Sequence, residues 1–327
     1  MNYVKLGNTG MDVSRICLGC MSFGSAEGWP HNTWALNEED SRIIIKRALD
    51  LGVNFFDTAN IYARGVSEEI LGRAMKDFAR RDEVVIATKV RGRMHDGPNG
   101  EGLSRKAILS QIDASLKRLG TDYVDLYIIH RWDYNTPIEE TMSALHDVVK
   151  AGKARYLGAS AMFAWQFQKA LHVADQHGWT RFVSMQNHYN LIYREEEREM
   201  MPLCRAEKIA STPYSPLASG RLARDLAETT TRYQTDQVAK SKYDSTAEAD
   251  NLVIARVAEV AAKHGVPRGH VSLAWLLQKA PVVAPVIGAT KTAHLESAVG
   301  SLSVSLTPEE MTFLEEPYVP HGIVGHS

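Results

Sequence analysis

Along this chain, short runs of consecutive apolar residues take turns with longer stretches in which apolar positions recur every three or four residues. The first kind reads as buried strand and the second as amphipathic helix. Strands are predicted over residues 16–19, 53–57, 83–89, 123–130, 154–160, 182–186, 209–213 and 282–287. Helices are predicted over about 38–51, through 68–75, over 105–119, from 137 to about 152, and over 165–177, 194–207, 252–264 and 270–278, with a last one from 292. Ser104 suits the N-cap of the third helix and Gly120 its stop, and Pro137 occupies a permitted first turn. Ahead of all this, Val4 and Leu6, the turn Gly7-Asn8-Thr9-Gly10, and Val13 and Ile16 predict a hairpin running into the first strand.

About eight strand-then-helix units follow the hairpin, with no linker and no sequence repeat. Apolar strands separated by amphipathic helices fit a parallel sheet covered by helices, and eight units close naturally into a (β/α)8 TIM barrel spanning residues 1–327 as one domain. A doubly wound sheet is the alternative, but Gly-x-Gly-x-x-Gly is absent after the first strands. Two long loops interrupt the pattern. Residues 21–37 carry Trp29 and Trp34, which either wall a ligand pocket or cover the surface, and residues 217–250 are long and polar.

Composition narrows the function class. With 44% apolar and 23% charged residues and a net charge of −2, the chain has a large core and no bias toward nucleic acid or an anionic membrane. No apolar run has the ~18 residues of a spanning helix, and the amino terminus lacks a signal peptide's apolar region. The expectation is a cytoplasmic protein. Cys17, Cys20 and Cys204 cannot all pair internally. The Cys17/Cys20 spacing admits a redox pair or half a metal site, but no second half-site exists and small buried side chains are the simpler reading.

Three of the strands end on an ionisable side chain: Asp57, Lys89 and His130, with Tyr62 five residues beyond the first. In a barrel these ends share one mouth, and neighbouring strands lie about 4.8 Å apart. An ammonium beside a phenol lowers the phenol's pKa from about 10, and a carboxylate keeps the ammonium charged. Such a tyrosine can give a proton to a developing alkoxide while the histidine orients a carbonyl, which suits carbonyl reduction. Taken singly, each residue has a plainer reading: a turn cap, a surface lysine, rim packing, a satisfied histidine. A metal held by Asp57, His130 and His95 is a competitor, opposed by the charge of Lys89.

These residues carry a resemblance. The chain resembles the aldo-keto reductases along essentially its whole length, through Asn54-Phe55-Phe56-Asp57-Thr58-Ala59 with Tyr62, Ala87-Thr88-Lys89, Ile128-Ile129-His130, Gly158-Ala159-Ser160, Ser184-Met185-Gln186 with Tyr189-Asn190, and Tyr214-Ser215-Pro216-Leu217-Ala218-Ser219-Gly220. Within the family it looks most like the bacterial YajO-type proteins, through Ile138-Glu139-Glu140-Thr141, the acidic run at 190–199, and Pro317-Tyr318-Val319-Pro320-His321.

The resemblance implies NADPH bound without a Rossmann fold, Tyr62 as acid, Lys89 and Asp57 tuning it, and His130 orienting the carbonyl of a small-molecule substrate. It implies that Ser160 and Gln186 hold the carboxamide and that Tyr214 stacks on the nicotinamide. Ser215, Leu217, Ser219 and Arg221 then follow the pyrophosphate, and Gly288, Thr290, Lys291 and His294 the adenosine phosphate. Thr290 and Lys291 also open a helix, whose free N–H groups favour a phosphate. Departures from the family pattern are Ala161, His294 and Ala298 where asparagine, glutamine and asparagine are usual. Trp29, Trp34, Arg131 and Trp132 are candidates for the substrate pocket, and Arg131, Arg64 and Arg93 for an anionic group on the substrate. The alternatives implied are a cofactor-sensing regulatory subunit and a sugar-phosphate-converting enzyme of the YajO type. The oligomeric state is open.

Overall fold

The computed structural model describes residues 1–225 and 234–326. An antiparallel hairpin, β1 (Tyr3–Lys5) and β2 (Asp12–Ser14), leads the chain. The parallel strands are β3 (Cys17–Gly19), β4 (Phe55–Asp57), β5 (Val85–Val90), β6 (Val124–Ile129), β7 (Ala154–Ser160), β8 (Phe182–Gln186), β9 (Ala210–Ser211) and β10 (Val286–Gly288). They bond side by side in the order β10-β3-β4-β5-β6-β7-β8-β9. The two ends of that row also meet. Ser211 N–H donates to the Pro281 carbonyl at 3.0 Å, Val283 N–H to Ser211 at 2.8 Å and Val286 N–H to Pro213 at 2.8 Å. The sheet therefore closes as the expected (β/α)8 barrel.

Around it stand α1 (Glu38–Asp50), α2 (Val66–Phe78), α3 (Arg105–Leu119), α4 (Ile138–Lys150), α5 (Ala164–His177), α6 (Met200–Ala206), α7 (Gln237–Tyr243), α8 (Ala247–His264), α9 (Arg268–Gln278), α10 (Thr292–Gly300) and α11 (Pro308–Glu315). Ser104 caps α3 by accepting from Ala107 N–H at 3.2 Å, and Gly120 ends it in the left-handed conformation. No described helix is long and apolar enough to cross a membrane.

Three elements depart from expectation. The helix expected over 194–207 is a 3-10 turn at Glu195–Glu197 followed by α6. A helix begun at 194 would bury Pro202 in its interior, where the missing N–H and the ring would break it; starting at Met200 leaves that proline in the tolerated first turn. The helix opened by Thr292 is not the last, because Thr307 and Glu310 form a capping box for α11. The polar segment 217–250 contains α7, capped by the Asp236 carboxylate accepting from Ala239 N–H at 2.9 Å, and the start of α8. Its residues 226–233 lie outside the described ones.

Period-two alternation sorts the strand residues into two cores. Cys17, Phe55, Val85, Ala87, Leu126, Ile128, Ala210 and Val286 fill the barrel interior, while Leu18, Phe56, Ile86, Tyr127, Ile129 and Leu157 face the helices. Leu6 and Val13 join the interior cluster, so the hairpin stoppers the end where the strands begin. Gly7 makes this approach: it has φ +59°, and a Cβ there would stand 2.9 Å from the Val183 carbonyl. Each buried Leu, Ile or Phe contributes about 1.5–3 kcal/mol. The opposite mouth is left for polar groups.

Candidate active site

The register explains why the polar strand ends converge. Asp57 lies opposite Ala87; two residues on is Lys89, opposite Ile128; two residues on from there is His130. Ile128 lies opposite Gly158, which leads to Ser160, and Ser160 lies opposite Gln186. Every step keeps the same parity, so all five side chains point into the barrel. Backbone bonds prolong the ladder past the strand ends: Thr58 N–H to Ala87 O at 2.9 Å, Asn60 N–H to Lys89 O at 3.2 Å and His130 N–H to Val90 O at 2.9 Å.

Lys89 is fully buried, and its three N–H donors are all engaged. One makes an ion pair with Asp57 Oδ1, one reaches the Thr58 carbonyl at 2.9 Å, and one reaches the Tyr62 hydroxyl at 3.3 Å. The other carboxylate oxygen of Asp57 accepts from Gln186 Nε2 at 2.9 Å. The Tyr62 ring meets His130 edge-on, with centroids 5.7 Å apart. Tyr62 begins a turn in which Ala63 and Arg64 have φ of 45° and 52° and Gly65 97°. That costs on the order of 1 kcal/mol per non-glycine residue, and it swings the chain from Tyr62 directly into α2.

The expected lowering of the Tyr62 pKa does not occur. Burial raises it, and this outweighs the opposing pull of Lys89. The phenol is thus held protonated. Burial would discharge Lys89, but Asp57 and then Tyr62 lift its pKa above the ordinary lysine value. His130 is pushed well below the imidazole range, by burial first and then by Lys89, Arg131, Arg91 and Lys242.

On the other side of the mouth, Ser160 donates its hydroxyl to the Gln186 carbonyl at 2.8 Å. Tyr214 is partly exposed and bridges to His188, with Lys242 Nζ 4.6 Å from its ring centroid. Ser215 and Ser219 have φ of 55° each, and Leu217 packs with Ile16, Leu273 and Ile287. Arg221 is paired with Asp244 at 2.6 Å and lies over the Tyr243 ring. Gly288 is exposed at the end of β10, with open space where a Cβ would be, and Thr290 is partly exposed. Lys291, at the N-cap of α10, and His294 in its first turn are exposed. Ala161 and Ala298 are buried.

An aromatic row leads to the proton-donor candidate. Trp34 lies 4.8 Å from His31, His31 4.9 Å from Trp29, and Trp29 6.2 Å from Tyr62. Trp132 is buried beside the exposed Trp165, 6.1 Å away. Arg131 buries Nη1 with no partner among the described residues. Arg93 does not share this setting; it pairs with Glu101 in an exposed loop. Arg64 leans toward the tryptophan loop, where a Cβ on Gly28 would lie 3.4 Å from its Nη2. His95 is exposed against the Asp96 carbonyl, and no three His, Cys, Asp or Glu among the described residues are grouped to hold a metal. All three cysteines are free and buried.

Three contributors were missed in the sequence: His188, Tyr243 and the C-terminal tail. His188 had a signal, since it stands two residues beyond Gln186 on the same alternation. Tyr243 and Gly325, where a Cβ would lie 2.9 Å from the Tyr214 hydroxyl, had none.

Comparison with known proteins agrees with this geometry. Residues 15–318 match the model of the Aldo/keto reductase family. The chain is 45% identical to versiconal hemiacetal acetate reductase of Aspergillus parasiticus, over 99% of this chain and 98% of that protein. It is 41% identical to a putative aryl-alcohol dehydrogenase of Schizosaccharomyces pombe (99% and 97% covered) and 40% identical to another of Saccharomyces cerevisiae (97% of each). These relatives are fungal, and they lend no support to the expected closeness to bacterial YajO-type proteins. The chain belongs to the aldo/keto reductase family.

Proposed function

We propose that the protein reduces aldehyde or ketone carbonyls with NADPH, the proton coming from Tyr62. The observation that carries this reading is the buried Lys89, whose three donors are spent on Asp57, Thr58 and Tyr62. Because Lys89 donates to the phenol oxygen, the Tyr62 proton is turned away from it and is free for a substrate oxygen. As that proton leaves, the ammonium already in place stabilises the phenolate. Asp57 keeps Lys89 charged at zero exposure. His130, neutral, can donate one N–H to the same carbonyl oxygen and fix its direction.

The residues present fit a nicotinamide cofactor. Tyr214 offers a partly open ring, Ser160 and Gln186 are joined at neighbouring strand ends, Gly288 leaves open space, and Lys291 sits at the amino end of α10. NADPH bound there would supply the hydride. The preference for its extra phosphate rests on Thr290 and Lys291. Trp29 against Tyr62 and Trp132 against Trp165 favour a flat aromatic substrate, in keeping with the aryl-alcohol dehydrogenase names of two relatives. A second reading, an anionic substrate such as a sugar phosphate, draws on the unpaired Arg131 Nη1.

The test is consumption of NADPH by purified protein with aromatic, aliphatic and carboxylate-bearing aldehydes. Aromatic aldehydes should give the highest kcat/KM. Preference for the carboxylate-bearing ones, lost in Arg131→Met, would favour the second reading. No consumption with any of them defeats the reductase reading.

A further inference from the structure

His188 lies against one face of the Tyr214 ring. The two rings are within 10° of parallel with centroids 5.2 Å apart, and Tyr193 stacks on His188 at 4.0 Å and 16°. His188 is wholly buried, which is costly for an imidazole, and its Nε2 has one partner, the Tyr243 hydroxyl at 2.7 Å. That hydroxyl is a hub. Ser215 Oγ lies 2.9 Å from it and Asn190 Nδ2 donates to it at 3.2 Å, while Asn190 also donates to the Ser215 carbonyl at 2.9 Å. A phenol oxygen can accept two hydrogen bonds and donate one, so the three neighbours use it completely.

A residue that merely filled the core would need neither a polar ring nor this hub. Here the stack sets the tilt of Tyr214, and the hub holds Ser215 in a left-handed conformation (φ 55°) that a serine does not adopt readily. The imidazole is neutral. Burial pushes its pKa well down, and the nearby cations Lys242 and Arg131, with His326 and His321, push the same way. A charged ring would bury a second N–H at Nδ1, which has no partner among the described residues.

We infer that His188 is a positioning residue, which together with Tyr243 holds Tyr214 and Ser215 as one platform for the nicotinamide end of the cofactor. The inference rests on the proposed use of NADPH. It assigns to α7, within the long polar segment, the task of bracing that platform through a single hydroxyl.

The test compares wild type with His188→Phe, His188→Gln and Tyr243→Phe. It measures NADPH affinity, the fluorescence emission of bound NADPH, and kcat and aldehyde KM separately. Losing the hub should weaken NADPH binding about tenfold, the effect of one buried hydrogen bond, in both phenylalanine variants. Emission should shift because the nicotinamide's surroundings change, and aldehyde KM at saturating NADPH should stay near the wild-type value. His188→Gln, with an amide able to reach Tyr243, should recover part of the affinity. Phenylalanine variants that bind NADPH with wild-type affinity and emission overturn the inference. Tyr243→Phe deletes one oxygen and keeps the ring, so it decides the matter if the His188 variants do not fold. A wild type that does not bind NADPH defeats the cofactor reading itself, and the role of His188 with it.

Discussion

Asp57, Lys89 and His130 meet because three successive strands end at staggered levels, whereas Tyr214 is set in place by segments far away along the chain. The first group is wired by strand register: each side chain is two residues from a position paired with its neighbour. Its buried ion pair is complete within 33 residues of sequence, from Asp57 to Lys89. Tyr214 depends on His188 from the preceding strand's end, on Tyr243 from α7 and on Gly325 from the tail. The proposed proton chemistry is thus built on paired strands and a buried ion pair. The surface proposed for the cofactor is braced by residues from separate segments of the chain.

The hardest test of this contrast is Tyr62→Phe. If Tyr62 supplies the proton and nothing else, kcat should fall about 10²–10⁴-fold, with NADPH affinity unchanged because the platform is untouched. The pH profile adds a sign. Tyr62 is raised and His130 lowered, so the donor stays protonated and the orienting ring neutral, and reductive kcat should be flat between about pH 6 and about pH 9. Alcohol oxidation needs the phenolate and should climb over the same span. A reductive rate that falls through neutral pH would show that the proton donor titrates there and that the Tyr62 pKa is not raised.

Next in size is Lys89→Met, which leaves the buried Asp57 carboxylate with Gln186 as its one remaining side-chain partner among the described residues. Breaking a buried pair in this way costs about 3–5 kcal/mol, readable as a lower midpoint in urea. Asp57→Asn in the same background should recover part of that loss, because it removes the orphaned charge. If the single variant is as stable as wild type, the role ascribed to the buried ion pair on this side of the mouth is mistaken.

The same contrast decides what could be read in the sequence. Strand alternation made the barrel and the strand-end residues legible, since Val53, Phe55 and Phe56 announce a strand and Asp57 its end. The direction of the Tyr62 pKa was not legible: proximity to Lys89 was visible, but the burial that outweighs it is a property of the packed mouth. The 194–207 segment misled because its run of charged residues was compatible with a solvent-facing helix, while Pro202 dictates where a helix can start. Tyr243 lies in the long polar segment, and nothing local marks it as the partner of a histidine 55 residues earlier.

A smaller effect separates the far end of the cofactor region from both. Lys291 is exposed at the N-cap of α10, so a phosphate bound there remains in contact with water. Lys291→Ala should weaken NADPH several-fold, about 1 kcal/mol in free energy, and leave NADH affinity unchanged. Equal loss for both cofactors, or none for either, would remove the phosphate from that helix end.

The smallest effect concerns the tail that runs past Tyr214. Its anchor is His321, whose Nε2 meets Asp250 Oδ1 at 2.9 Å and whose N–H donates to Glu195 Oε1 at 2.8 Å, with Tyr318 stacked on the ring at 5.2 Å. Burial works against the charged ring, but the hydrogen bond and charge of Asp250 outweigh it and raise the His321 pKa above the usual imidazole value. A histidine raised by folding contributes stability fully below its unfolded pKa of about 6.5. That contribution is lost as pH climbs through the raised, folded value. The melting temperature of His321→Gln should therefore lag wild type most near about pH 6 and approach it above about pH 8. Because the tail comes close to the hydroxyl edge of Tyr214, the same variant should raise the KM for NADPH near about pH 6, where the charged His321 still anchors the wild-type tail, more than it lowers kcat. A variant that lowers kcat at saturating NADPH would mean that the tail reaches the proton-transfer side of the mouth, and the two sides would then have to be treated as one.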